Sequence, residues 1–184
     1  MPTDSEKAVL AELVRTWFDE VGPSHWYNST PEIDAMLRTR FGDFLEKQGQ
    51  READDFLTDP QSALGAILLF DQVPRNIHRD TPRAFQRDTL AQAIAHGMID
   101  KGWTQELPAA KAQFALMPLM HSEKLADQDA CVVWFAKLAP DALDYARSHR
   151  EAIARFGRFP HRNEILGRET TPQEQAAIDD GLSW

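Results

Sequence analysis

The chain has 184 residues, 42% hydrophobic and 27% charged, with a formal charge of −9; that is enough material for one folded domain, residues 1–184, and too apolar for a disordered chain. The negative charge disfavours nucleic acid and anionic membrane as partners, and the longest apolar stretch, ALGAILLF, stops at Asp71, well short of the roughly 20 residues a membrane crossing needs. The start MPTDSEKAVL lacks a basic-then-apolar leader pattern, and the one cysteine, Cys131 in CVVWF, excludes an internal disulfide or a cysteine-based metal framework; a cytoplasmic location and a structural Cys131 are expected.

Helix start signals recur along the chain. Thr30-Pro31-Glu32, Asp59-Pro60-Gln61, Thr81-Pro82-Arg83 and Thr171-Pro172-Gln173-Glu174 each set a capping side chain before a proline at the first helical position. The last also has capping-box spacing, Thr171 to Glu174. Between these signals apolar residues recur at helical spacing, and alternating β-branched runs are missing. The pattern predicts an all-α, single-domain helical bundle or array of about 8 helices. They are placed at 4–20, 30–47, 59–73, 81–100, 108–120, 122–138, 140–157 and, briefly, from 171. No repeat of 34 residues is visible, so periodicity alone announces no repeat array.

Polar residues interrupt the apolar stripes. Leu64, Ile67 and Leu68 lead at helical spacing to Asp71; Ala142, Tyr145 and Ala146 lead to His149; Phe114, Met117 and Pro118 lead to His121; Gln128 falls near the stripe of Leu125, Val132 and Phe135. Burying such groups without partners costs several kcal/mol, so they are expected to meet one another or a ligand. Three bends would aim them at a common place. Pro74 is expected to end or kink its helix, leaving Arg75 and Asn76 on an irregular segment; Ser122 is a candidate N-cap; Gly157 and Pro160 shape the chain beside His161, Arg162 and Asn163.

The arginines are concentrated as well. Residues 71–87 hold Arg75, Arg79, Arg83 and Arg87, residues 147–163 hold Arg147, Arg150, Arg155, Arg158 and Arg162, and no lysine falls in either window. Planar guanidinium groups favour bidentate recognition of carboxylate or phosphate over a diffuse basic surface. Pairing with the chain's many carboxylates is the plain structural alternative.

The motifs ILLFDQVPRNIHRDTPRAF, LMPLMHSEKLADQ and RFGRFPHRNEILGRETTPQEQ, in this order and with the early Trp17-Phe18 pair and the terminal GLSW, resemble the bacterial family called domain of unknown function 924. The resemblance implies an all-helical fold in the tetratricopeptide-like superfamily and no established activity. Its motifs fall on Asp71, Gln72, Pro74, Arg75, Asn76, Arg79, Arg83 and Phe85, on His121, Ser122 and Glu123, and on the run from Arg155 to Asn163. His78 departs from the aromatic or aliphatic residue the pattern favours there, which makes it a poor catalytic candidate.

The leading expectation is a binding module. Arg75, Arg79, Arg158 and Arg162 would hold the anionic group of a small molecule or acidic peptide, and Asp71, His121, Glu123 and His149 would orient it. Gln72, Asn76, Arg83, Ser122, Arg155, His161 and Asn163 complete the expected ligand-binding set. The runner-up is a hydrolase-like enzyme with His121 or His161 as general base and Glu123 or Asp71 orienting it. Asp71, His121, Glu123 and His149 are suitable metal ligands by type, yet without a nucleophile motif, phosphate loop or paired cysteines no cofactor or metal is expected. A third reading is a protein-interaction module using Trp17, Trp26, Trp103, Trp134 and Trp184, although aromatics at helical spacing usually belong to cores.

Overall fold

The computed structural model describes residues 1–182, and the expectation about Trp184 lies outside them. Helix α1 (Asp4–Arg15) opens with a capping box between Thr3 and Glu6 and buries Leu10, Leu13 and Val14. Its last turns widen into a π-helical stretch, Thr16–Val21, that turns Trp17 into the core. Helix α2 (Pro31–Gln48) starts at the Thr30 cap and buries Leu37, Phe41 and Leu45. A short α3 (Ala53–Phe56), not foreseen in the sequence, sets Phe56 edge-on to Phe70 at 5.2 Å between ring centroids.

Helix α4 (Pro60–Ile67) is central: every residue from Ser62 to Ile67 is buried, and it packs against α1. Gly65 permits this approach, because a Cβ there would come 2.7 Å from the Leu10 carbonyl oxygen. Beyond it a wide π turn, Leu68–Gln72, leads directly into α5 (Val73–Ile77). Pro74 therefore does not end the helix as its ring alone would predict. The wide turn places it in the first turn of α5, where a missing N–H costs little, and Arg75 and Asn76 are helical.

The expected helix over 81–100 is two elements, a 3₁₀ turn at Pro82–Phe85 and then α6 (Asp88–Asp100). Helix α7 (Ala109–Met120) carries Pro118 inside it. Helix α8 (Leu125–Leu138) starts later than expected, because Ser122 stands upstream of the cap and its hydroxyl accepts the Lys124 N–H at 3.2 Å. Helix α9 (Leu143–Phe156) stops where Gly157 takes φ 67°. A 3₁₀ turn at Pro160–Arg162 and the capping-boxed α10 (Pro172–Asp179) follow. Helices α7, α8 and α9 pack in succession, while α4 and α6 pack on each other and on α7. The described residues are helical with no strand, and no helix among them is long and apolar enough to cross a membrane.

Candidate functional site

The π turn before α5 keeps Asp71 on the buried face that Leu64, Ile67 and Leu68 begin, and the carboxylate is 0% exposed. Its Oδ1 lies 2.8 Å from His121 Nδ1 and 3.1 Å from Arg75 Nη1, while Oδ2 accepts from Gln72 Nε2. Burial alone would raise this carboxyl, but the Arg75 guanidinium and the His121 ring outweigh it and hold it below the ordinary range. Burial, then Arg75, pushes His121 down against the opposing pull of Asp71. The pair at neutral pH is thus carboxylate and neutral imidazole, with the Nδ1–H assigned as donor to Asp71 from the hydrogen-bond network. That leaves the Nε2 lone pair for whatever occupies the spaces His121 lines.

Asp88, at the first position of α6, takes both guanidinium nitrogens of Arg75 at 2.9 Å. Arg75 also donates to the Asp71 carbonyl oxygen at 2.7 Å, so its charge is met on two sides. Arg162 is served less well. It is 6% exposed, with its guanidinium carbon 4.4 Å from the Phe159 ring and 4.6 Å from the Phe85 ring. Nη1 donates to the His121 carbonyl oxygen at 3.2 Å and stands 3.5 Å from Asp88 Oδ2, which Arg75 already holds. Its Nε has no hydrogen-bond partner among the described residues. Burial, and next the neighbouring Arg75, pushes Arg162 down to about 10, which leaves it a cation at neutral pH.

Two cavities meet at this cluster, with Phe85, His121 and Arg162 lining both. One, of about 520 Å³, has Gln72, Arg75, Asn76, His149 and His161 along its polar side, Arg79 near them, and Trp26, Met117, Met120 and Ile165 along its apolar side. The other, of about 610 Å³, is bordered by Arg83, Asp88, Gln92, Ser122, Glu123 and Lys124. Burial lowers His149 to about 3 and His161 to about 4, so both rings are neutral near pH 7. His149 Nδ1 pairs with the Tyr145 carbonyl oxygen at 2.8 Å, which fixes the ring along α9.

The sequence-predicted residues thus divide. Asp71, Gln72, Arg75, Asn76, Arg79, His121, His149, His161 and Arg162 gather at the first cavity or directly behind it. Arg79 is half-exposed and pairs with Asp34 at 3.1 Å, and Arg83 faces the second cavity with Glu46 at 2.5 Å. Glu123 serves the backbone: it accepts the Phe159 N–H at 2.8 Å and a bidentate pair from Arg168 at 2.9 and 3.0 Å, and it lines only the second cavity. Arg158 is bidentate on Glu174 at 2.6 and 2.9 Å, and Arg155 is an exposed partner of Glu151 at 3.7 Å; neither lines the two cavities. Asn163 is fully buried behind them, where its carbonyl oxygen accepts the Arg168 N–H at 2.7 Å.

Ser122, His96 and Asp127 form a sequence of contacts that could be mistaken for a hydrolytic triad. The Ser122 hydroxyl donates to Asp127 Oδ2 at 2.6 Å and His96 Nε2 lies 2.9 Å from Asp127 Oδ1. The carboxylate sits in the middle, so no imidazole is placed to take the serine proton. Gln128 is structural too, its amide nitrogen donating to the carbonyl oxygens of Leu119, Met120 and Ser122. Among the described residues no three His, Cys, Asp or Glu side chains are gathered so as to hold a metal ion.

Sequence reasoning missed Asp88 and Arg168. Asp88 had a signal, since Asp88, Ala91, Gln92 and Ala95 form one buried stripe in which an acid leads. Arg168 had none, because its contact with Glu123 depends on how the chain after Gly157 folds back.

The bacterial family of proteins of unknown function, DUF924, matches residues 13–181. A solved structure of a protein of unknown function from Agrobacterium tumefaciens is 36% identical, with a TM-score of 0.89 over 95% of this chain and 98% of that one. No curated protein matches. With a family match spanning nearly the whole helical array and a similar backbone in a relative at this identity, the chain belongs to the DUF924 family of bacterial proteins.

Proposed function

We propose that the cavity bordered by Arg75, His121 and Arg162 binds a small organic anion. The observation that carries this reading is Arg162: a buried cation between two aromatic rings, whose nearest carboxylate oxygen is already engaged by Arg75. A desolvated guanidinium that has to share its carboxylate costs free energy unless a further anion answers it. The volume of about 520 Å³ suits a small molecule, and its apolar side would hold an organic body. An acidic peptide end is the alternative occupant, in keeping with the tetratricopeptide-like placement that the resemblance implies. The reading needs no cofactor, nucleic acid or membrane, and fits a cytoplasmic metabolite.

The test is a panel of carboxylates and phosphates scored by melting temperature and then by calorimetry, since a ligand that prefers the folded state raises apparent stability. Binding by the native protein, weakened at least about tenfold in Arg162→Met, is the expected result. Equal affinity in both proteins, or no binder at all, removes the proposal.

The Asp71–His121 contact at 2.8 Å favours a second reading, acid–base catalysis on the bound anion. Nε2 of a neutral, oriented imidazole can accept a proton from water or from a ligand hydroxyl. On this reading His121→Gln stops turnover of an ester or phosphate monoester that the protein still binds. Turnover indifferent to that change would exclude His121 as the base.

A further inference from the structure

Five large apolar or aromatic side chains stand out as exposed among the described residues: Met1, Tyr27, Leu125, Val133 and Tyr145. Two of these, Tyr27 at 68% and Tyr145 at 61% exposure, line the cavity that holds Arg162. They come from distant parts of the chain, the loop before α2 and the first turn of α9, and meet with ring planes 14° apart and centroids 6.5 Å apart. Tyr27 is held from behind: its ring lies parallel to Phe114 within 13°, and its hydroxyl accepts from Gln113. Tyr145 sits on the same helix as His149, whose ring nitrogen Nδ1 pairs with the Tyr145 carbonyl oxygen, so one ring of the rim and one polar group of the cavity share α9. A tyrosine pair that leaves this much ring surface in water is in the usual condition of a recognition surface rather than of a core.

We infer, on the anion-binding reading above, that the ligand class is an aryl anion: a carboxylate or phosphate directed to Arg162, with an aromatic ring packed on Tyr27 and Tyr145. Charge complementarity selects the inner end and ring stacking selects the outer one. The cavity between them is lined by Trp26, Met117, Met120 and Ile165, surfaces that accept a flat apolar body. An anion without such a body satisfies Arg162 and leaves the tyrosines unused.

The experiment compares 2-naphthylacetate with octanoate and with acetate by calorimetry, on the native protein, Tyr145→Ala and Arg162→Met. Tyr145→Ala keeps the helix, because alanine is the best helix former and position 145 is exposed. The expected result is 2-naphthylacetate binding about five- to tenfold tighter than octanoate, a preference that Tyr145→Ala erases by weakening 2-naphthylacetate several-fold more than octanoate. Equal affinity of the two, unaffected by Tyr145→Ala and lost in Arg162→Met, overturns the aryl inference and leaves the anion site standing. Binding of none of the three compounds overturns the aryl inference, and silence across the wider anion panel then removes the reading beneath it.

Discussion

Arg75 and Arg162 share Asp88 on the α5 and α7 side of the cluster, where Asp71 pairs with Arg75 and His121, whereas Arg158 and Arg168 hold Glu174 and Glu123 on the C-terminal side. The residue types are the same in both networks. In the second, each guanidinium has its own carboxylate in bidentate geometry, and Arg158 and Arg168 add backbone carbonyls at 2.8 and 3.0 Å. That network fastens the segment after Gly157 onto the loop before α8. In the first, two arginines compete for Asp88 and one imidazole nitrogen is left over beside a cavity. The second network gives each arginine a carboxylate of its own and closes the fold, whereas in the first Arg162 shares one and lines both cavities. Counting arginines and acids cannot separate these cases, nor can unused donors, since the buried Nε of both Arg162 and Arg168 lacks a hydrogen-bond partner among the described residues; a shared carboxylate beside a cavity can.

The sharpest break between the networks is at Asp71. Asp71→Ala removes the acceptor of His121, Arg75 and Gln72 at a fully buried position, and should cost about 3 kcal/mol in urea unfolding. A cost near zero would show that Asp88 and Gln72 meet those donors by themselves. Glu123→Ala should cost about 2 kcal/mol, since it frees the Phe159 N–H and Arg168, yet leave anion affinity unchanged. If Glu123→Ala weakened the anion site as much as the fold, the two networks would be one.

Acid separates them next. His149 is held neutral in the fold, so below its unfolded value of 6.5 the unfolded chain binds the proton first. Its contribution is complete above that value and is lost as pH falls from 6.5 towards about 3, at no more than about 1.4 kcal/mol per pH unit. Urea midpoints from pH 7 to 4 should decline accordingly, and His149→Phe should flatten the decline. Asp71 titrates in the same sense at lower pH: its folded value is depressed as well, so its contribution is complete above the ordinary carboxylate range and is lost as pH falls below it. An Asp71→Asn variant should therefore lose less stability than the native protein below about pH 4.

The smallest expected effect carries the contrast furthest. Arg162→Met keeps an apolar stem between Phe85 and Phe159 and removes an under-paired buried charge, so it should change stability by less than about 1 kcal/mol. Arg168→Met, which takes the bidentate partner from Glu123, should cost more than that and leave the anion site untouched. A larger loss at Arg162 than at Arg168 would make the Arg162 cluster a structural lock.

The sequence by itself determined the helical class and most helix starts, because capping and apolar periodicity are local. Thr30, Asp59 and Thr171 cap as their side chains predict, and Gly157 ends α9. It also placed Asp71, His121 and His149 on buried faces, since each continues an apolar stripe. Tertiary structure decided the rest. Whether Pro74 breaks a helix depended on a π turn that widens the backbone under packing from α1, α4 and α7. Which arginines are spent depended on partners far along the chain: Asp88 took Arg75, Glu174 took Arg158, and Arg162 was left between two rings. A guanidinium is the same group in every sequence window, and only the distances to carboxylates brought in by other helices distinguish a clasp from a binding site.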